Sequence, residues 1–432
     1  MEVMELRDYQ ILNAKKLTAI IKEHKLAYFA GEVRTGKSLT ALKVATDYQK
    51  VLFVTKLKAI PSIQNDYKQA GFTFDLHCTN YESLHKLTYK PDFVILDESH
   101  TVGCSYPKPS KRAIQLKTIC KDLPILFLSG TPTPESHSQI YHQLYVSSSS
   151  PFAQYINFYK WAKDFVKLKK KYVYNRELND YSDADKDKIK QWTSHLFLSF
   201  TQEEAGFTEF VNEHILYIEM PQRIWDLVKI IKRDKVYEFK DGNAVILADT
   251  AVKEMSKISQ ISSGTVKDED GGYHVLSTAK ADFIKTRFAG QKIAIFYKYI
   301  AERKMLEKVF ENLTDIPEVF QESSDKIFVS QFISGREGIN ISSADSLIFI
   351  NLDYSYLSYA QSKARIQTKD RAKEANLYFI FSDKGIERLI YDKVKNKTDF
   401  TTHFYKRMQD EIGIGSTSKA NKEIQQGRLA LH

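Results

Sequence analysis

Short apolar runs separated by stretches of helical length recur twice along this 432-residue chain, and that rhythm admits few folds. The first series is LAYFA, KSLTALKVATDY, VLFVT, FDLHC, FVILDE and ILFLSG; the second is KIAIFY, YIAERKMLEKVFE, IFVSQF, SLIFIN, SYAQSKARIQTK and LYFIF. A short, continuously apolar run suits a strand covered on both faces, and a helix between two such strands is the connection that parallel pairing requires. The expectation is an α/β fold with two parallel-sheet lobes, at about 1–148 and 216–400. With 43% hydrophobic residues the chain has apolar content for two cores.

Between the lobes, residues 149–215 open on a serine run and continue as aromatic and charged, helix-like text, a basic bridge with no core of its own. Residues 401–432 form a C-terminal tail, polar and Gly/Ser/Lys-rich from about Ile412 and expected to be weakly ordered there. The formal net charge is +9, which favours a polyanionic partner without identifying it. Three cysteines, Cys78, Cys104 and Cys120, form no CxxC pair and are odd in number, so they read as reduced intracellular thiols. No apolar run approaches the roughly 18 residues of a membrane span, and the start MEVMELRDYQ is too polar for a secretory signal, so a cytoplasmic protein with no membrane partner is expected.

Gly31, Gly36, Lys37 and Ser38 satisfy G-x-x-x-x-G-K-[ST], placed between an apolar run and a helical pattern. Glycines let backbone N–H groups close around phosphate oxygens, Lys37 neutralises the β/γ charge, and Ser38 can ligate Mg2+. In PDFVILDESH, Asp97 follows an apolar strand and is suited to holding Mg2+, while Glu98 is placed to orient and deprotonate an attacking water. ATP and Mg2+ are thus the expected ligands.

With DESH after the phosphate loop and LSGTPTPE after that, the chain resembles superfamily 2 helicases and translocases along most of its length. That resemblance implies two RecA-like lobes with ATP in the cleft between them. It makes Gln10 in LRDYQ the adenine reader with Arg7 beside it, adds Thr35 to the phosphate loop, and makes Ser129, Gly130 and Thr131, with His100, the coupling between ATP and nucleic acid. In the second half SGREGIN and QSKAR resemble the chromatin-remodeller-like (Swi/Snf-type) branch, with Gly338, Asn340 and Gln361 near the nucleotide and Arg365 as arginine finger. Where the family commonly has a second arginine this chain has Thr368, leaving Arg371 as the reserve. The form EVRTGKS, without large insertions, is similar to compact versions encoded by bacteriophages, which would place the protein in a bacterial host cytoplasm.

The partner implied is DNA, gripped through its backbone without base reading. The expected contacts are Thr55, Lys56, Asn80, Tyr81, Lys298, Ser334 and Arg336, with Lys169, Lys170 and Lys171 interleaved with aromatics in the bridge. No wedge hairpin or accessory DNA-binding domain is evident, so a loading or replication partner is expected, and one chain suffices for one ATP cycle. The expected function is an ATP-dependent DNA helicase or translocase. Alternatives are an ATP-switched nucleic-acid clamp with little turnover, and a DEAD-box-like RNA helicase, against which DESH stands in place of Asp-Glu-Ala-Asp.

Overall fold

The structure, a computed structural model, describes residues 4–173, 176–206, 211–239, 242, 244–332, 341–363, 365–366 and 374–396. The chain divides into two compact units, 1–207 and 208–432. In chain order the first contains α1 (Asp8–His24), β1 (Leu26–Gly31), α2 (Lys37–Val44), β2 (Lys50–Thr55), α3 (Ile60–Gln69), β3 (Asp75–Asn80), β4 (Phe93–Leu96), α4 (Lys111–Ile119), β5 (Ile125–Leu128), α5 (Gln139–Leu144), α6 (Phe158–Phe165), β6 (Lys169–Val173), β7 (Arg176–Asp180), α7 (Lys186–Thr193) and β8 (Phe197–Phe200).

Six of these strands form one sheet in the order β3-β2-β4-β5-β1-β8, every pair parallel. Side-chain alternation along the strands divides the core between the two faces. Tyr28, Leu52, Val94 and Phe127 point to one side, whereas Phe29, Phe53, Ile95 and Leu128 pack on the other against Leu17 of α1, Ala41 of α2 and Ile63 of α3. Because both faces are covered, β4 and β5 are buried at all four positions, which is why they read as continuous apolar runs.

The structure revises the expected bridge. Phe152, Phe158, Trp161 and Phe165 join Tyr141 in the first unit's core, with Trp161 5.2 Å from Tyr141 and stacked at 5.1 Å on Phe165. Further on, β8 adds to the main sheet beside β1, in register Tyr28↔Phe197 to Gly31↔Phe200. The unit boundary therefore falls after 207 and not at 148. Residues 169–180 are also not helical: β6 and β7 form an antiparallel hairpin running from Lys169↔Asp180 to Val173↔Arg176. Tyr172 and Val173 are residue types that suit a strand.

The second unit contains β9 (Val211–Ile218), α8 (Gln222–Asp234), β10 (Val236–Glu238), β11 (Val245–Leu247), α9 (Ala251–Ser262), β12 (Thr265–Lys267), β13 (Tyr273–Val275), α10 (Ala279–Arg287), β14 (Ile293–Tyr297), α11 (Ile300–Glu307), β15 (Leu313–Thr314), α12 (Pro317–Glu322), β16 (Ile327–Gln331), β17 (Ser346–Phe349), α13 (Tyr356–Lys363), β18 (Ala375–Ser382) and α14 (Glu387–Lys395). Its sheet, in the order β15-β16-β14-β17-β18-β9, is again parallel throughout. The expected α/β class, with two units each built on one parallel sheet, is thus the observed one. Glu213 on β9 fastens two helices: its carboxylate accepts from Tyr359 of α13 at 2.7 Å and Tyr391 of α14 at 2.6 Å, and pairs with Lys363. A fully buried ion pair, Lys280–Glu387 at 3.0 Å, joins α10 to α14.

Among the described residues no helix is long and apolar enough to cross a membrane. The expected tail, 401–432, lies outside the described residues.

If residues 149–206 belong to the first unit's core, Trp161→Ala should cost about 3–5 kcal/mol of that unit's stability. Denaturant unfolding measures this, and a loss below about 1 kcal/mol would show that the aromatic cluster is dispensable.

Candidate active site

The phosphate loop spans the gap between β1 and α2. Gly36 has φ +77°, a left-handed backbone, and a Cβ there would meet Gln10 Nε2 at 2.1 Å, so both conformation and packing demand glycine. Gln10 is buried on the first turn of α1. Its Oε1 accepts from Arg7 N at 2.9 Å, while its Nε2 donates to Gly36 O at 3.4 Å. Gln10 thus reaches the loop, whereas Arg7 meets Gln10 through its backbone N–H and turns its guanidinium to Tyr9 OH at 3.1 Å. Thr35, fully buried, donates to Glu32 O at 2.8 Å, and Lys37 Nζ donates to the same carbonyl at 2.9 Å. Ser38 follows on the first turn of α2.

Gln202 is a loop-supporting residue that sequence reading missed. Its Nε2 donates to Val33 O at 2.9 Å and its backbone N–H to Glu32 Oε2 at 2.7 Å, closing the loop from about 170 residues downstream. The short segment after β8 carries no local signal for this.

Asp97 and Glu98 stand just beyond β4. Thr55 Oγ1 donates to Asp97 Oδ2 at 2.7 Å, and Tyr81 OH to Asp97 O at 2.5 Å. Both residues, expected on the nucleic-acid backbone, are buried, with the Thr55 hydroxyl committed to the Asp97 carboxylate and that of Tyr81 to the Asp97 backbone carbonyl. Burial, followed by repulsion from Glu98, pushes the Asp97 carboxyl up to about 6, with the Thr55 bond and Lys37 pulling the other way. Glu98 has φ +49°, left-handed for a residue with a side chain.

Beside it, His100 Nδ1 lies 3.3 Å from Glu98 Oε2 and 2.9 Å from Ser129 Oγ, and Thr131 N donates to the same Oγ at 3.1 Å. A Cβ on Gly130 would lie 3.7 Å from Lys37 Nζ. One unit therefore gathers Gln10, Gly31, Thr35, Gly36, Lys37, Ser38, Asp97, Glu98, His100, Ser129, Gly130 and Thr131 around a single strand-end region, with Arg7 bonded through its backbone to Gln10.

The remaining expected residues are placed differently. Lys56 follows β2 directly and is partly exposed; Asn80, at the end of β3, is buried. Lys169 pairs with Asp183 at 2.8 Å and Lys170 with Glu177 across the hairpin, both side chains exposed, whereas the side chain of Lys171 is outside the described set. Lys298 is turned inward: its Nζ lies 3.0 Å from the Tyr354 ring centroid and 5.1 Å from that of Tyr299, with no hydrogen-bond partner among the described residues. Burial pulls its pKa down to about 7 against the attraction of Asp353, Glu302 and Glu387. Gln361 is buried on α13, and Arg365 lies just beyond that helix, partly exposed. Ser334, Arg336, Gly338, Asn340 and Arg371 lie outside the described residues.

The family profile described as SNF2-related domain matches residues 22–249, more than half of the chain, and the chain belongs to that family. It carries an ATPase core of the SNF2 type. A curated relative, helicase swr1 of Aspergillus fumigatus, is 26% identical over 107 residues, which is 22% of this chain and 6% of that protein's length. Among solved structures, the Sulfolobus solfataricus SWI2/SNF2 ATPase core in complex with dsDNA aligns over 91% of each chain at 15% identity with a TM-score of 0.41. The same organism's core domain alone aligns over 91% of this chain and 89% of that one, at 15% identity and 0.40.

Because the folded-state value of Asp97 lies above the 3.8 of an ordinary aspartate, ionising it costs stability, and the cost develops as pH rises from about 4 through about 6. Asp97→Asn should therefore stabilise the nucleotide-free protein at pH 7.5 by about 1–3 kcal/mol, with the gain vanishing near pH 4. Urea unfolding at the two pH values checks this; destabilisation at pH 7.5 contradicts it.

Proposed function

We propose that the chain is an ATP-driven DNA helicase or translocase, of the compact kind found in bacteriophages, that serves DNA replication, recombination or repair. The observation that carries this reading is the convergence, within the first unit, of a phosphate loop, two adjacent carboxylates and a His100–Ser129 link to SGTPT. Lys37 neutralises the terminal phosphates, Gln10 and Arg7 contact the base end, and Glu98 positions and deprotonates the attacking water. The site fits Mg2+, because a divalent cation held by Ser38 and Asp97 would offset both the burial and the Glu98 repulsion that raise the Asp97 carboxyl. That ion would neutralise charge on the phosphates being separated. Arg365, with Arg371 as the alternative, is the proposed source of the transition-state cation, and Gly338, Asn340 and Gln361 of further nucleotide contacts. His100, Ser129, Gly130 and Thr131 carry the state of the phosphate site toward the DNA.

DNA contact is proposed through Lys56, Ser334 and Arg336, and through Lys169, Lys170 and Lys171 of the hairpin. The exposed ion pairs of Lys169 and Lys170 contribute little to stability, so exchanging Asp183 and Glu177 for backbone phosphates is inexpensive. Each phosphate so neutralised releases counterions, which makes affinity salt-dependent and indifferent to sequence.

Steady-state ATPase assays without nucleic acid and with single-stranded, duplex or forked DNA, or RNA, test the reading. DNA should stimulate turnover, and Lys37→Ala or Glu98→Gln should remove it, by about 100-fold or more for the base. Stimulation by RNA alone would overturn the DNA assignment, and ATP-dependent DNA binding with negligible turnover would identify a clamp. Replacing Lys169, Lys170 and Lys171 together by Ala should weaken DNA binding and flatten its salt slope by about 0.9 per lost contact. Unchanged affinity would remove the hairpin from the interface.

A further inference from the structure

Glu98 occupies a left-handed backbone conformation that costs a side-chain-bearing residue free energy and persists only where neighbours impose it. The residue after it, Ser99, is fully buried, and its Oγ donates to Tyr28 OH at 2.9 Å. Tyr28 OH in turn donates to Gln143 Oε1 at 2.8 Å, and Ser99 Oγ also lies 3.5 Å from that oxygen. The other end of the same amide reaches the SGTPT segment: Gln143 Nε2 donates to Pro132 O at 2.7 Å, with Gln139 O at 3.3 Å.

Tyr28 and Gln143 are both 0% exposed, so water cannot replace either partner. Burial also holds the Tyr28 phenol well above its usual pKa, which keeps it a neutral donor. Behind the turn, a Cβ on Gly103 would fall 2.0 Å from Gln139 O, so the DESH turn sits directly on the backbone of α5, the helix that carries Gln143. A buried primary amide with both ends used fixes orientation as well as distance, because rotating it by half a turn would set its oxygen against the Pro132 and Gln139 carbonyls, which can only accept.

We propose that Gln143, acting through Tyr28 and Ser99, is a positioning residue for Glu98: it clamps the DESH turn to the segment after SGT and holds the water-activating carboxylate in its left-handed pose. This is a second tie between the two motifs besides His100–Ser129, and it runs through β1 and α5. The proposal rests on Glu98 being the residue that activates water in ATP hydrolysis. Its consequence is kinetic: loosening the clamp misplaces the base during attack while leaving the phosphate loop intact.

The test is a double-mutant cycle on DNA-stimulated ATP hydrolysis by the full chain, with Gln143→Met and Tyr28→Phe each made in the wild-type and Glu98→Gln backgrounds. Thermal unfolding serves as the folding control, and Tyr28→Phe carries the test if Gln143→Met does not fold. In the wild-type background each variant should lower kcat by about 10- to 100-fold with the KM for ATP changed less than about three-fold. In the Glu98→Gln background the same changes should lower the residual rate by less than about two-fold, because the group they position has already been disabled. Equal losses in both backgrounds, or wild-type kcat in a folded variant, overturn the proposal while leaving Glu98 as the base. Wild-type turnover by Glu98→Gln itself would instead remove Glu98 from the reaction, and the positioning role with it.

Discussion

Two carboxylates side by side at the buried end of a strand are the constraint on which the first unit turns. Asp97 and Glu98 repel each other where little water screens them, and the surrounding residues are arranged to tolerate this. Thr55 from β2 donates to the Asp97 carboxylate, Tyr81 from the segment after β3 anchors the Asp97 backbone carbonyl, Lys37 from the phosphate loop attracts the acid, and His100 faces Glu98. The sheet order puts β2 beside β4 and β1 one strand beyond β5, so the strand ends that supply these groups are neighbours by topology. A divalent cation at these carboxylates would offset the same repulsion, and Lys37 is the group placed to meet the negative charge of a phosphate.

The polar interior of the second unit serves a different purpose. Glu302 is fully buried, accepts from Lys298 N and Tyr299 N at 2.9 Å, and takes a third bond from Asn351 Nδ2 at 2.9 Å. It thus ties the end of β14 to the segment leaving β17, from which α13 starts. Lys298 is enclosed by the tyrosines of the same two segments. These groups fix the geometry of the strand ends.

What the sequence made legible was what lies close together along it. The phosphate loop, DESH and SGTPT are contiguous, their chemistry follows from residue type and spacing, and the doubled strand–helix rhythm announced two parallel sheets. Roles that depend on partners far away in the chain were not legible. Thr55 and Tyr81 look like strand-end polar residues suited to phosphate, yet register and burial turn them toward Asp97. Gln202 and Gln143 sit in stretches without motif character and reach the site only because β8 joins β1 and α5 packs on the DESH turn. The hairpin of β6 and β7 was hidden by its lysines, which are depleted in strands and read as a solvated helix face.

Movement along DNA at the expense of nucleotide is what a motor must do, and displacement of a third strand from a duplex measures it without requiring the duplex to open. The account predicts ATP-dependent displacement by the wild-type chain and none by Lys37→Ala at equal DNA occupancy. Vigorous DNA-stimulated hydrolysis accompanied by neither third-strand displacement nor unwinding of forked DNA would contradict it.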